Sequence, residues 1–139
     1  MQFTGQHRVE LAGDQSHGFL LLHGFTSGPH SMKEIAQKIN AHGFPVTVPL
    51  LAGHGTVVED LNKTRFQRWQ QQVRDEFASL SAHVEKITVM GLSMGGTLAL
   101  DAACELDSDP RLAQTIVINP ALGFKNPAAH FAGLLKYVV

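Results

Sequence analysis

The feature that most constrains this chain is residues 89–96, where apolar residues stop at a glycine, present a serine and continue in small residues. The residues before Gly91 favour a strand, and the alanine and leucine content after Gly96 favours a helix. A strand turns directly into a helix only where the two backbones pass close together, and Gly91 and Gly95 have no Cβ to collide there. The G-x-S-x-G spacing therefore predicts a strand, a sharp turn with Ser93 at its tip, and a helix.

A serine in this position carries a specific chemical prediction, that of a nucleophile elbow. Its hydroxyl attacks a carbonyl once a base removes the proton, and the anion that forms needs N–H donors already in place. The backbone N–H of Met94 follows the serine directly, and a loop of residues 23–25 offers the N–H of Phe25. The alternative is a glycine-rich turn with an inert serine. The order of strand, turn and helix favours the nucleophile.

Apolar patterning in the rest of the chain predicts an α/β fold. Residues 18–23 are apolar without alternation, which is typical of a central strand covered on both faces of a parallel sheet. The other predicted strands are residues 8–11, 46–49, 86–90 and 115–119. Helical spacing links Met32, Ile35, Ala36 and Ile39 before Gly43, and links Phe66, Trp69, Val73, Phe77 and Leu80 after Thr64. Alternating strands and helices predict a mostly parallel sheet with helices on both faces.

Four individual residues carry smaller predictions. Gly13 and Asp14 are expected to form the turn that sends the first strand back. Trp69 is expected to pack in the core rather than to form a ligand platform. Cys104, the single cysteine, lies among alanines on the helix after Ser93 and is expected to be a buried apolar thiol.

Composition excludes several classes of protein. The 139 residues suit one domain, residues 1–139, and 11 basic against 12 acidic residues without charged blocks do not favour a nucleic-acid surface. One cysteine excludes an internal disulfide, and the histidines lack the spacing of a metal site, so neither a metal nor another cofactor is expected. Residues 1–10 do not read as a signal peptide, and no apolar stretch is long enough to span a bilayer. A cytoplasmic protein is the expectation.

Three segments together resemble the α/β-hydrolase family, most closely the small bacterial carboxylesterases and the serine hydrolases related to monoacylglycerol lipases. They are residues 20–28 (LLLHGFTSG), 51–55 (LAGHG) and 89–96 (VMGLSMGG), in that order. The resemblance implies Ser93 as the acyl nucleophile and the N–H groups of Phe25 and Met94 as the oxyanion hole. It implies an acyl ester as the small-molecule substrate. It also implies that His23 and His54 shape loops rather than act as the base.

The chain departs from this family after Ser93. The family's catalytic acid and histidine follow later strands, which are missing from these residues, so the predicted sheet is incomplete. The acidic residues after Ser93, all on or just after its helix, are Asp101, Glu105, Asp107 and Asp109, and only His130 lies beyond the last strand. Residues 121–139 resemble the start of a cap or lid. We therefore expect the amino-terminal part of a longer hydrolase. With the later strands absent, strand 115–119 would form an open edge suited to self-association.

Two functional hypotheses follow. The first is a serine carboxylesterase acting on a small or medium acyl ester, with Phe25, Leu51 and Met94 lining an acyl pocket. The second is a catalytically inactive hydrolase fragment that acts as a binding or interaction module. A nucleotide-binding unit is excluded, because no glycine-rich phosphate-binding motif follows any predicted strand.

Overall fold

The computed structural model describes residues 7–122 and shows a five-stranded sheet. The strands are β1 (Val9–Leu11), β2 (His17–Leu22), β3 (Val46–Val48), β4 (Lys86–Leu92) and β5 (Leu112–Ile118). Their order in the sheet is β1-β3-β2-β4-β5, with β1 antiparallel to β3 and the other neighbours parallel. The α/β fold with a mostly parallel sheet and a central β2 is confirmed.

Helices cover both faces of this sheet, as predicted. A short 3-10 turn (Pro29–Met32) leads into α1 (Lys33–Asn40), and α2 (Val58–Lys63), α3 (Phe66–Ser81) and α4 (Met94–Glu105) follow. Met32 and Ala36, at and after the 3-10 turn, pack against Leu21 and Met90 on one face. The apolar stripe of α3 and the small residues of α4 pack on the other face, in a cluster that includes Trp69, Phe77, Leu20, Val89, Leu98 and Ala99.

The first strand joins the sheet at a position that sequence reasoning did not anticipate. The chain turns at Gly13 and Asp14, but β1 does not pair with β2; it pairs with β3, with Val9 opposite Val48 and Leu11 opposite Val46. Both edges of β2 are taken by β3 and β4, which leaves no place for β1 beside it. The turn instead crosses the end of the α1 segment, where the N–H of Asp14 donates to the carbonyl of Gly43 at 2.9 Å.

Three further differences have simple causes. The short helix α2 was not predicted, and none of its residues is buried, so it carries no apolar stripe to be recognised. β5 begins at Leu112, before the predicted residue 115. Cys104 is exposed, contrary to the prediction, because it lies on the side of α4 opposite the buried Leu98 and Ala102.

The structure describes neither residues 1–6 nor residues 123–139, so His130 and nearly all of the predicted cap lie outside it. Within the described part, β5 is an edge strand paired on one side, with β4. No helix among residues 7–122 is both long and apolar enough to cross a membrane.

Candidate active site

Ser93 lies at the sharp turn between β4 and α4, as the spacing predicted. Its backbone has φ 55° and ψ −117°, a left-handed conformation that a residue with a Cβ rarely adopts. The turn is fixed by the N–H of Ser93, which donates to the carbonyl of Ile118 at 2.9 Å. The Ser93 hydroxyl makes no hydrogen bond within residues 7–122, and the residue is half-buried. The Ser93 hydroxyl is therefore partly exposed and has no hydrogen-bond partner among these residues.

The two glycines of the motif are required by close backbone contacts. A Cβ on Gly91 would lie 2.0 Å from the carbonyl oxygen of Gly95. A Cβ on Gly95 would lie 2.2 Å from the carbonyl oxygen of Leu22 and 2.7 Å from that of His23. All three distances are below van der Waals contact, so the first turn of α4 packs directly on β4 and on the end of β2. This contact brings Ser93 beside the loop that follows β2.

That loop passes alongside Ser93 and then turns. A Cβ built on Gly24 would lie 3.5 Å from the Cβ of Ser93, which is ordinary contact. The N–H of Ser27 donates to the carbonyl of Gly24 at 3.3 Å, closing a turn with Phe25 and Thr26 in its middle. Thr26 takes a positive φ of 57°, and Phe25 is 51% exposed. Phe25 therefore directly follows the residue that lies beside Ser93.

The N–H groups of Phe25 and Met94, the two predicted oxyanion donors, have no acceptor among the described residues. Met94 is the first residue of α4, where an N–H has no partner within the helix. Within residues 7–122 no carbonyl or side chain accepts a hydrogen bond from the N–H of Met94 or of Phe25. The positive end of the α4 dipole lies at the same point. One N–H group in the Ser93 turn and one in the adjacent loop therefore remain without an acceptor among residues 7–122.

His23 is fully buried, with 0% exposure, and uses both ring nitrogens. Its Nε2 accepts from the N–H of Leu51 at 3.1 Å, and its Nδ1 lies 2.9 Å from the carbonyl oxygen of Gly24. Since an N–H donates to Nε2 and a carbonyl faces Nδ1, the proton is on Nδ1. Burial lowers the pKa of His23 from 6.5 to about 4, with a smaller lowering from His54. The ring is therefore neutral and linked to two loops.

His54 is a second buried ring at this edge of the sheet. Its Nδ1 lies 3.1 Å from the carbonyl oxygen of Leu51 and 3.3 Å from that of Ala52, while its Nε2 is buried without a partner among the described residues. The ring stands edge-on to His23 with centroids 4.9 Å apart, and lies next to Phe25 and Trp69. His54 thus packs within an aromatic cluster, and its Nδ1 is directed at the loop's own backbone.

Two side chains of α3, Trp69 and Gln72, anchor the loop after β3. The sequence predicted core packing for Trp69 and no role for Gln72. The indole N–H of Trp69 donates to the carbonyl of Ala52 at 2.8 Å. The amide of Gln72 donates to the carbonyl of Leu50 and accepts from the N–H of Ala52, both at 2.9 Å. Trp69 is buried, as predicted, but it also fixes the loop. Gln72 gave no signal, because a glutamine on a helix normally faces solvent.

Three of the acidic residues after Ser93 are paired away from this edge. Asp101 accepts from the side chain of Gln70 at 2.9 Å on α3. Glu105 forms an ion pair with Arg74, also on α3. Hydrogen bonds from Arg111 lower the pKa of Asp109 to about 2. These carboxylates join α3 to α4 or close the turn before β5, and none is directed at Ser93.

The prediction that Phe25, Leu51 and Met94 line an apolar pocket is wrong in part. Leu51 is 0% exposed and belongs to the core beneath α3, and Met94 is also buried there. Of the three residues proposed for it, only Phe25 presents its side chain to solvent. The prediction fails because Leu51 lies in the core beneath α3 and the first turn of α4 directs the Met94 side chain into the same core.

This arrangement of sheet, helices and serine turn defines an α/β-hydrolase. The structure superimposes on that of a metagenome-derived lipolytic enzyme, from work on LipS and LipT, with a TM-score of 0.86 and 29% identity, covering 94% of this chain and 52% of the other. The chain belongs to the serine aminopeptidase S33 family (Hydrolase_4), whose model matches residues 14–139.

Two curated relatives share substantial identity with the chain. A thermostable monoacylglycerol lipase of Bacillus sp. (strain H-257) is 40% identical over 116 residues, which are 84% of this chain and 45% of the relative. A carboxylesterase of Bacillus subtilis (strain 168) is 34% identical over 82 residues, or 58% of this chain and 33% of the relative. The chain thus spans less than half the length of each of these two relatives.

Proposed function

We propose that this protein is a serine hydrolase that cleaves carboxylic esters through an acyl-enzyme on Ser93. The observation that carries the proposal is a strained serine beside the loop of Gly24, with the N–H groups of Phe25 and Met94 lacking an acceptor among the described residues. Backbone strain from a positive φ at a non-glycine residue is often found at functional sites. Two N–H donors that remain available for an anion beside the serine support an oxyanion hole there.

The chemistry assigned to these groups is a two-step acyl transfer. The Oγ of Ser93 attacks the ester carbonyl carbon, its proton passes to a base, and the carbonyl oxygen becomes an anion that accepts from Phe25 and Met94. The anion collapses, the bond to the alcohol oxygen breaks, and the alcohol leaves with the proton. Water then attacks the acyl-enzyme in the same way and releases the carboxylic acid and free Ser93.

The proposal assigns the base and its acid to residues outside 7–122. His23 has both ring nitrogens occupied in the folded chain, and His54 is buried against backbone carbonyls. Asp101, Glu105 and Asp109 are paired with basic or amide side chains. The matched segments of the curated relatives are less than half of those proteins, so this assignment agrees with the share of the fold that is covered.

The substrate class we propose is a small or medium acyl ester. The names of the two curated relatives, a monoacylglycerol lipase and a carboxylesterase, support an ester. The exposed ring of Phe25, one residue from the glycine that contacts Ser93, supplies apolar surface for an acyl chain. An inactive binding module remains the competing hypothesis, and it is decided by whether Ser93 reacts.

The experiment is labelling of the full chain with a fluorophosphonate, followed by peptide mapping and by p-nitrophenyl ester turnover. We expect the label on Ser93, and we expect Ser93→Ala to lose both labelling and turnover. Ser79→Ala is the matched control, because Ser79 is exposed on α3 and should leave both unchanged. An unlabelled Ser93 in a folded chain would support the binding module, and undiminished turnover by Ser93→Ala would exclude Ser93 as the nucleophile.

A further inference from the structure

A second cavity, of about 340 Å³, lies at the end of the sheet opposite Ser93. Its walls come from the end of β1, the beginning of β3 and the end of α3, and they include no residue of the candidate active site. Most of the wall is apolar, with Leu80 and Val84 on the α3 side and Pro45 beside β3. A cavity of this size is within the range of small-molecule sites.

The strand register directs two polar side chains, Glu10 and Thr47, into this cavity. Their neighbours on the two strands all pack on the α1 side of the sheet; they are Val9, Leu11, Val46 and Val48. Side chains alternate along a strand, so Glu10 and Thr47 face the α3 side. The two residues lie directly opposite each other in the ladder between β1 and β3, and both line the cavity.

The hydroxyl of Thr47 is buried without a partner. The residue is only 4% exposed, and its Oγ1 takes part in no hydrogen bond among residues 7–122. The oxygen is not sealed off, because in this part of the chain the enclosed side-chain nitrogen or oxygen without a partner is Nε2 of His54. A hydroxyl that has lost its bonds to water recovers free energy when a ligand supplies a hydrogen bond. Thr47 is therefore a polar contact point in a largely apolar cavity.

The charge beside this hydroxyl is negative. Glu10 lies 2.8 Å from one guanidinium nitrogen of Arg8, and Glu76 of α3 lies 2.7 Å from another. Two carboxylates thus share a single guanidinium, so their negative charge is only half compensated. The last turn of α3 contains no basic residue, and the negative end of the helix dipole adds to the same charge.

Arg111 also reaches the end of α3, where it donates to the hydroxyl of Ser81 at 2.9 Å. It is paired with Asp109 at 2.6 Å, so it does not compensate the two carboxylates. A small apolar cavity with an excess of negative charge and a free hydroxyl suits a cation with a hydrocarbon body. We propose that this cavity is a binding site for a small primary alkylamine, independent of the chemistry at Ser93.

The ammonium group fits both polar contacts at once. It has three N–H donors, which the carboxylate of Glu10 and the hydroxyl oxygen of Thr47 can accept together. The hydrocarbon chain then packs on Leu80 and Val84 and loses contact with water. An alcohol of the same length keeps the apolar contact but lacks the ion pair, and a carboxylate is repelled by Glu10.

The test is a titration of the full chain with hexylamine at pH 8, where imidazoles are neutral and primary alkylamines are protonated. Calorimetry gives the affinity, and nitrogen-15 HSQC spectra give the position. We expect a Kd of about 1 mM, with shifts at Glu10, Thr47 and Val84 and none at Phe25 or Met94. Hexanol should bind at least about threefold more weakly, and hexanoate should not bind.

Four variants separate the contributions. Glu10→Gln removes the charge at constant shape and should weaken hexylamine binding about 3- to 10-fold without affecting hexanol. Thr47→Val should weaken it about threefold. Arg8→Gln should tighten it about twofold, because Glu10 and Glu76 lose the cation that they share. Glu34→Gln is the matched control, since Glu34 is exposed on α1 across the sheet, and it should leave the affinity unchanged.

Equal weakening by Glu10→Gln and Glu34→Gln would show that only net charge matters and would overturn the site. Equal affinity for hexylamine and hexanoate, or the absence of saturable binding, would do the same. Saturating hexylamine should leave fluorophosphonate labelling of Ser93 unchanged, and loss of labelling would place the amine at Ser93 instead. Because binding is measured without an ester, an unreactive Ser93 would end the esterase proposal and leave this one standing.

Discussion

Two segments meet at Ser93 and are held in place by different forces. The turn between β4 and α4 is held by steric exclusion, since a Cβ on Gly91 or Gly95 would lie 2.0 to 2.2 Å from a backbone oxygen. The loop after β2 has room at Gly24, where a Cβ would meet nothing closer than 3.5 Å. That loop is held instead by hydrogen bonds from His23 to Gly24 and from Leu51 to His23.

The difference shows how a site can combine a strained group with an adjustable one. Exclusion by backbone atoms leaves a single conformation, which suits a serine that must be presented in a strained state. Hydrogen bonds fix direction more than position, which suits a donor that must be aimed at a developing charge. The two segments should therefore respond to different perturbations, the first to added volume and the second to lost hydrogen bonds or protonation.

The largest expected effect is that of Gly95→Ala. The new methyl group would lie 2.2 Å from the carbonyl oxygen of Leu22, so α4 must move off the sheet or the chain must fail to fold. We expect a loss of about 4 kcal/mol or more in the free energy of unfolding, which is a large fraction of the stability of a typical domain. Urea denaturation measures it.

Gly96→Ala is the matched control one residue along the same helix. Its methyl group would meet Gly91 and Val117 at 3.2 Å, contacts that small shifts relieve. We expect a change within about 1 kcal/mol. Equal destabilisation by the two substitutions would show that exclusion by β2 does not specify the turn.

The same contrast explains what the sequence could and could not predict. Close backbone approach is recorded in the sequence itself, because only glycine fits, and two glycines flank Ser93 at fixed spacing. The strand, turn and helix were predicted from that spacing and are confirmed. The apolar stripes of α1 and α3 could also be predicted, because the periodicity of a helix is visible in a short stretch of sequence.

What was missed depends on partners that are distant in sequence. β1 pairs with β3 because β2 has no free edge, and no local pattern at Gly13 records that competition. Leu51 was placed in a pocket because nothing nearby in sequence shows that α3 covers it. The links from Gln72 to the Leu50–Ala52 backbone and from His23 to Leu51 join residues 20 to 28 positions apart, and neither was predicted.

The second prediction concerns pH and follows from the burial of His23. Its pKa is lowered from 6.5 to about 4 in the folded chain, so between these values the unfolded chain binds a proton that the folded chain does not. This contribution to stability is complete above pH 6.5 and is lost as the pH falls toward 4. It amounts to roughly 3 kcal/mol, at 1.36 kcal/mol for each pH unit.

Urea denaturation at pH 7, 6, 5 and 4 measures this dependence in the wild type and in two His23 variants. His23→Asn and His23→Gln both lack the imidazole, so the slope of unfolding free energy against pH should decrease by about one proton in each. The two variants should therefore show the same slope. An unchanged slope in both would mean that His23 is protonated equally in the folded and unfolded chains.

The smallest effect we expect is at the Ser93 turn, where glycine should be more stable than alanine, the reverse of the usual order. Glycine is ordinarily less stable than alanine by about 0.5 to 1 kcal/mol, because it loses more backbone freedom on folding. At Ser93, however, the positive φ strains any residue with a Cβ, at about 1 to 3 kcal/mol. Ser93→Gly should therefore be about 1 kcal/mol more stable than Ser93→Ala in urea, and both should lack turnover. At exposed Ser79 on α3 the order should reverse, and the same order at both positions would contradict the strain assigned to the turn.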